Sequence, residues 1–449
     1  MSSARCAVDR AKSAIRAGTA SSARRAACIS ASASNGSCPG TSTPAPARAI
    51  SPGMQARAWA TRCIGAKCSS PIAAWITTSA TTGTSRIWIS KARRSASHLI
   101  GDKGATRRNP TPTLPCLRRG GRHQETNAMN KQRIDVHHHF LPPEFVAYLA
   151  KQGAAWTGGP KIPEWNLDLA RETMARNGIA QVVGSVVPGT YWGDRSAAVH
   201  WSRHANEFMA RIVQDDPSTF GAFAAMPLPD TQGALQELEY ALDVLKLDGV
   251  QIMSSFGNQY PGSPEFEEFF QELDRRKATV HIHPSTVVPG AIVPQLTIPW
   301  GIVEFVLDTS RAVANLIYSG TMERYPNIKY IVSHAGGTIP FLPMRMELSR
   351  RMGYGEHAPK DVGSYIDQLY FDTALSTAPS TLAAVTTIAR PGHILYGSDW
   401  PMVPEMVVEY ENTALDGSPV LDDAMQHAIE RGNAEALFPR FAKRKAAAA

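Results

Sequence analysis

Past residue 128 the chain has no cysteine: all six (Cys6, Cys28, Cys38, Cys63, Cys68 and Cys116) lie before that point. Neither a disulfide framework nor thiolate-bound zinc can organise the long C-terminal part. Before residue 129 it is acid that is scarce. Residues 1–128 hold 3 Asp and Glu against 20 Lys and Arg, a net +17, whereas residues 129–449 hold 36 acidic against 26 basic residues, a net −10. The pI of 9.1 therefore averages two unlike pieces. Long hydrophobic runs are missing too. The longest weakly apolar one, PIAAWITTSATTGTSRIWIS, is broken by hydroxyls and an arginine, which excludes a bilayer span.

Residues 1–128 are rich in Ala, Ser, Arg, Thr and Pro, with runs such as ISASASNGSCPGTSTPAPARA, and no apolar period persists in them. Such a segment buries too little to offset its ordering entropy and is expected to be a disordered, low-complexity extension. A transit peptide shares its Arg/Ser bias but is rarely so long. A nucleic-acid tail would cluster its positive charge and interleave aromatic residues, which this one does not. The spacing of Cys63 and Cys68 fits no zinc pattern. Met129 stands just before the first patterned residue, so the reading favoured is a misplaced start, with the folded protein spanning 129–449. That part, without a secretory signal, reads as cytoplasmic, binding neither nucleic acid nor membrane.

From Lys131 onward, eight short β-prone runs alternate with amphipathic helical stretches. The runs are RIDVHHHF (133–140), IAQVVGSVV (179–187), FGAFAAMPL (220–228), GVQIMSS (249–255), ATVHIHP (278–284), IKYIVSHAG (328–336), LYFDTAL (369–375) and HILYGSDW (393–400). Helical patterns such as LDLARETMARNG and PEFEEFFQELDRRK lie between them, and a closing helix spans Asp422 to Phe438. In the second of these, Phe266, Phe269, Phe270 and Leu273 recur at core-facing spacing. Near-continuously apolar strands in βα repeats predict an α/β fold, a (β/α)8 TIM barrel, with a doubly wound open sheet as runner-up.

In a barrel, chemistry gathers where strands end. The first strand ends VHHHF, the fifth HIHP, the sixth VSHAGG and the eighth YGSDWP. Strand side chains alternate, so His137 and His139 share a face and His138 takes the other. Two imidazoles one pleat apart can bind one ion, at Zn–N distances of about 2.0–2.1 Å. His283, nearer the strand end than His281, is the further ligand candidate. His334 could cap a turn and Asp399 could cap a helix. Four metal-capable groups at one end of four strands outweigh those blander readings. His200 and His204, spaced i, i+4 on a helix, read as surface or packing residues.

These residues carry a likeness. IDVHHHF, HIHP, SHAGG and GSDWP resemble the four signatures of the amidohydrolase superfamily, and more narrowly its branch around aminocarboxymuconate-semialdehyde decarboxylase. DVHHHFLPP, AMPLPD, LDTSRAVANLIYSG and SHAGGTIPFLPMR are similar to the 6-methylsalicylate decarboxylase-like members. The resemblance implies a distorted barrel with one divalent ion, Zn2+ by ligand type and Mn2+ as the other candidate. By motif position it implies His137, His139, His283 and Asp399 as ligands and His334 as catalytic acid/base. Arg345 matches an arginine that in some relatives reaches a neighbouring subunit's site to pair with a substrate carboxylate, which implies a homodimer or higher oligomer. Two-metal members use a lysine at the end of strand four; GVQIMSS has none, so a single ion is expected.

The reaction expected is nonoxidative decarboxylation of a salicylate-like or related cyclic carboxylic acid, with His334 and Asp399 carrying protons and Phe140, Trp165 and Trp300 covering the ring. The alternative is hydrolysis of a lactone or amide by water that the same ion activates.

Overall fold

Eight consecutive buried residues, Arg133–Phe140, form the first strand, β1. Seven more follow in parallel: β2 (Ile179–Val186), β3 (Phe220–Ala225), β4 (Gly249–Met253), β5 (Thr279–His283), β6 (Lys329–Val332), β7 (Tyr370–Asp372) and β8 (Ile394–Leu395). Each pairs with the next in sequence order, and helices fill the connections, so the expected (β/α)8 barrel is what the chain forms. This computed structural model describes residues 131–152, 162–285 and 297–442. The expectations for residues 1–128, disorder and a misplaced start, lie outside the described residues.

The barrel is distorted where it closes. β8 has two residues, and the seam to β1 is made by the segment after it. The Val136 N–H donates to the Tyr396 carbonyl (3.0 Å), Asp399 N–H to the His137 carbonyl (2.8 Å) and His139 N–H to the Trp400 carbonyl (2.8 Å). A buried carboxylate reinforces this seam. Asp135 accepts from the backbone N–H groups of His137 (3.0 Å) and Ser398 (3.1 Å) and from the Ser398 hydroxyl (2.6 Å).

Inside, Ile134, Val136, Val183, Phe223, Ile331 and Leu395 form an apolar layer, joined by Ala434, Leu437, Phe438 and Phe441 from the closing helical segment. Burying each large side chain there contributes about 1.5–3 kcal/mol. Arg431 fixes that segment under β1 by donating to the Gln132 carbonyl (2.9 Å). The polar strand ends lie above this layer. Outside, the helix Glu267–Arg276 buries Phe269, Phe270 and Leu273, and Phe266 ahead of it is buried as well, as their spacing predicts. The helix Arg195–Asp215 sends Asn206 to both backbone groups of Ala225, at 2.7 and 3.0 Å, fixing the end of β3. Among the described residues no helix is long and apolar enough to cross a membrane.

β1 changes phase along its length. Between Asp135 and His138 it advances three residues while β2 advances two, from Val182 to Gly184. One residue is thus bulged out, and a bulge re-aims the side chains beyond it. Ile134 and Val136 join the inner layer, yet His137 and His139 also face the interior, with ring centroids 5.0 Å apart. Without the extra residue, uninterrupted alternation would have sent those two histidines outward.

Candidate metal centre

β1 delivers two imidazoles, the end of β5 delivers His283, and the turn after β8 delivers Asp399. One donor atom from each of His137, His139, His283 and Asp399 lies within 4.8 Å of all the others, and all four residues are buried. The Asp399 Oδ1 stands 3.0 Å from His139 Nε2 and 3.3 Å from His137 Nε2. These are edge lengths of a polyhedron around an ion with bonds of about 2.0–2.2 Å. His137 Nε2 has no hydrogen-bond partner although it is buried.

The outer nitrogens are engaged, which decides how the rings face. His137 Nδ1 meets the Asp372 carboxylate at 2.8 Å, and His283 Nδ1 donates to the Pro284 carbonyl at 2.9 Å. Neither partner can donate, so both rings carry a proton on Nδ1 and turn Nε2 inward. The donor set therefore fits a divalent cation: three imidazole nitrogens and one carboxylate, all from buried residues.

His334 joins the cluster from the turn after β6, its Nε2 3.7 Å from Asp399 Oδ2. It holds left-handed backbone angles (φ 56°, ψ 53°), as does Ala335, and Asp399 has φ 58°. Such angles cost a non-glycine residue of order 1–3 kcal/mol and persist where neighbours over-determine them. Here the neighbour is Asp372, which accepts from the His334 N–H at 2.9 Å. The close approach of strand ends also needs Gly397, since a Cβ there would come within 2.8 Å of the His137 Cβ.

Burial opposes charge on His137, but the Asp372 and Asp399 carboxylates overcome it and push the imidazole up to about 10, so without a cation its Nε2 also holds a proton, one that a bound cation would displace. Burial pulls His139 down to about 4, the Asp399 bond opposing it, and it holds His283 well below its ordinary value. For Asp399, burial favours the neutral acid, yet the imidazoles of His137, His139 and His334 beside it keep it well below the usual carboxylate range. A pocket that keeps a carboxylate ionised and two imidazoles neutral presents lone pairs and negative charge to a cation.

His138, given no metal role, bonds Asp135 at 3.1 Å and lies against Trp400, 5.1 Å between centroids. His281 is inward, stacked on Phe223 with centroids 5.3 Å apart. Phe140 is a correction. Its ring is fully buried in the outer layer, against Gly184, Phe220 and Trp165, where no substrate ring can reach it. The bulge in β1 is the reason: with His139 inward, Phe140 faces out. Trp165 is half-buried in that same layer, edge-on to Phe140 and Phe208, so it too packs away from the cluster. Trp300 leads into the helix Gly301–Tyr318 with its ring edge-on to Phe305. Arg345 is exposed on the helix Pro343–Arg351. Asp372, the partner of both His137 and the His334 backbone, was not singled out in the sequence. Its signal was available: an acid at the end of the seventh strand, level with the other polar strand ends.

Against known proteins, the family model described as amidohydrolase matches residues 134–440. The chain belongs to the amidohydrolase family. Among curated amidohydrolase relatives, a 6-methylsalicylic acid decarboxylase of Aspergillus aculeatus is 35% identical over 70% of this chain and 98% of its own length. Among solved structures, one described as amidohydrolase II has a TM-score of 0.64 at 30% identity, over 68% of this chain and 99% of the other. The 5-carboxyvanillate decarboxylase of Novosphingobium aromaticivorans, crystallised with manganese, has a TM-score of 0.62 at 20% identity, over 72% of this chain and 98% of its own. At that identity the likeness speaks to the amidohydrolase fold alone.

Proposed function

We propose that this amidohydrolase is a nonoxidative carboxy-lyase that removes CO2 from a salicylate-like aromatic or related cyclic carboxylic acid. The observation that carries the reading is the convergence of His334 with the four-donor cluster through Asp399, 3.7 Å away. Decarboxylation breaks one C–C bond, leaves its electron pair on the ring carbon and needs a proton delivered there. His334 and Asp399 are the proton carriers. His137, His139, His283 and Asp399 hold one divalent ion, Zn2+ by donor type with Mn2+ as the alternative. That ion supplies positive charge to orient the ortho oxygen and the carboxylate and to stabilise charge developing on oxygen. The name of the 35%-identical relative supports this substrate class.

Arg345 takes the carboxylate from a neighbouring copy. On and around its helix, Phe341, Met344, Leu348 and Met352 are 73, 77, 51 and 72% exposed. Apolar residues contiguous on one helical face mark a contact surface, and a second copy of the chain is the occupant that would also bring Arg345 to a site. Met344→Glu is then expected to convert a dimer to monomers in sedimentation.

The test is a panel of hydroxybenzoates, 6-methylsalicylate included, alongside lactones, run with the Zn2+- and Mn2+-loaded full chain. CO2 release without lactone cleavage is expected, falling about 10²–10⁴-fold in His334→Ala. Lactone cleavage without CO2 release would overturn the proposal.

A further inference from the structure

His137 and His283 rest their outer nitrogens on a carboxylate and a carbonyl, but His139 rests on something weaker. Its Nδ1 lies 3.1 Å from the Ser185 hydroxyl, and Ser185 is its ladder partner on β2. That hydroxyl oxygen in turn accepts from the Gln251 Nε2 at 2.9 Å. Gln251 is on β4, where Val250 and Ile252 belong to the outer core, so Gln251 faces the interior. β3 stands between Gln251 and Ser185. Its residue paired with Gln251 is Ala225, whose methyl group leaves the amide room to cross. Both arm residues are buried, at 1% and 3% exposure.

An amide nitrogen only donates. Gln251 therefore occupies one lone pair of the Ser185 oxygen and holds that oxygen in place, leaving its proton and its second lone pair to face His139 Nδ1. With no cation the hydroxyl donates to Nδ1 while Nε2–H donates to the Asp399 carboxylate at 3.0 Å; for Nε2 to bind a cation the ring proton must sit on Nδ1, and the same hydroxyl then accepts from it. A carboxylate or a carbonyl cannot donate, so the partners of the other two rings lack this freedom.

We propose that Ser185 and Gln251 are positioning residues for His139: a neutral two-residue arm that holds the ring and satisfies its Nδ1 in either tautomer, so that Nε2 is free to face the ion. The inference rests on the metal reading above. Its test is chelator competition for Zn2+ on the full chain, together with 15N NMR of labelled histidine. Ser185→Ala is expected to weaken Zn2+ binding about 10–100-fold and Gln251→Met about tenfold, while Ser185→Thr, which keeps the hydroxyl, stays within a few-fold of wild type. In the metal-free spectra the His139 Nδ1 signal of Ser185→Ala shifts with the loss of its hydrogen bond, and that of Ser185→Thr does not. Thermal unfolding in excess chelator checks that each variant folds; if Ser185→Ala does not, Gln251→Met and Ser185→Thr carry the comparison. Wild-type Zn2+ binding matched by both Ser185→Ala and Gln251→Met would overturn the arm. A wild type that binds neither Zn2+ nor Mn2+ would instead sink the metal reading. The 15N signature would then decide the arm alone, an unchanged His139 Nδ1 signal in Ser185→Ala overturning it.

Discussion

The two sides of the cluster are built by opposite means. His139 sits in an eight-residue strand bonded along β2, where the ladder itself fixes the backbone, and His137 is carried in the bulge just before it. Asp399 and His334 follow strands of two and four residues, hold left-handed angles, and stay in place through the side chains of Asp135 and Asp372. A regular ladder spaces ligands at a fixed pitch. Only an irregular turn can bring the remaining donor across the gap, and it needs buried carboxylates to hold it.

Several changes would break or sharpen that contrast. The largest effect is expected from the ligands themselves. His137→Ala and Asp399→Ala should each lower bound Zn2+, measured by elemental analysis, at least about tenfold; equal occupancy in either variant would remove that residue from the set. Next comes the staple between the two sides. Asp135→Ala strands four buried donors, the N–H groups of His137 and Ser398, the Ser398 hydroxyl and His138 Nδ1, each worth about 1–3 kcal/mol, so urea unfolding should show a loss of at least about 4 kcal/mol, against about 1 for Ser398→Ala.

Glu411, on the helix Glu405–Asp416 behind the turn side, has its Oε2 buried without a partner. Burial, with repulsion from Asp399 and Asp372, pushes its carboxyl up from 4.5 to about 8. The folded form then keeps a proton that the unfolded chain has lost. Stability falls as pH rises from 4.5 toward 8 and is level above it, at about 1.4 kcal/mol per pH unit. In metal-stripped protein, Glu411→Gln should match wild type near pH 4.5 and exceed it by a few kcal/mol at pH 8. Identical pH slopes would contradict this. The smallest change tests the ladder side. A Cβ at Gly184 would run into the Phe140 ring, so Gly184→Ala should cost about 1–3 kcal/mol in unfolding while leaving the turn intact.

Much of this architecture was legible in the sequence because each strand ends where its apolar run meets a polar group. All eight strands lie where their residues predicted them. The histidines and Asp399 were readable for the same reason, being hydrophilic residues in places a core would not tolerate. What escaped was non-periodic or long-range. The bulge in β1 leaves no mark in RIDVHHHF. Asp135 and Asp372 act through partners 263 and 235 residues away, and such pairings have no local signature. The helix Pro343–Arg351 buries only Met346, so it lacks the apolar stripe that reveals its neighbours. The stretch ALQELEYALDVLKLD has the apolar spacing of one amphipathic helix, yet the α-helix gives way at Tyr240–Val244 to a π-helical turn, a change of pitch that a 3.6-residue pattern does not register.

The Arg431 side chain that reaches the Gln132 carbonyl comes 299 residues after it, and Phe438 and Phe441 follow later still. During translation the opening strand must therefore wait, its floor unmade, until nearly every other element has emerged. Chain segments in that condition expose apolar surface and attract chaperones. This protein's vulnerable interval is its own synthesis, and that interval closes only when the last helical turn leaves the ribosome.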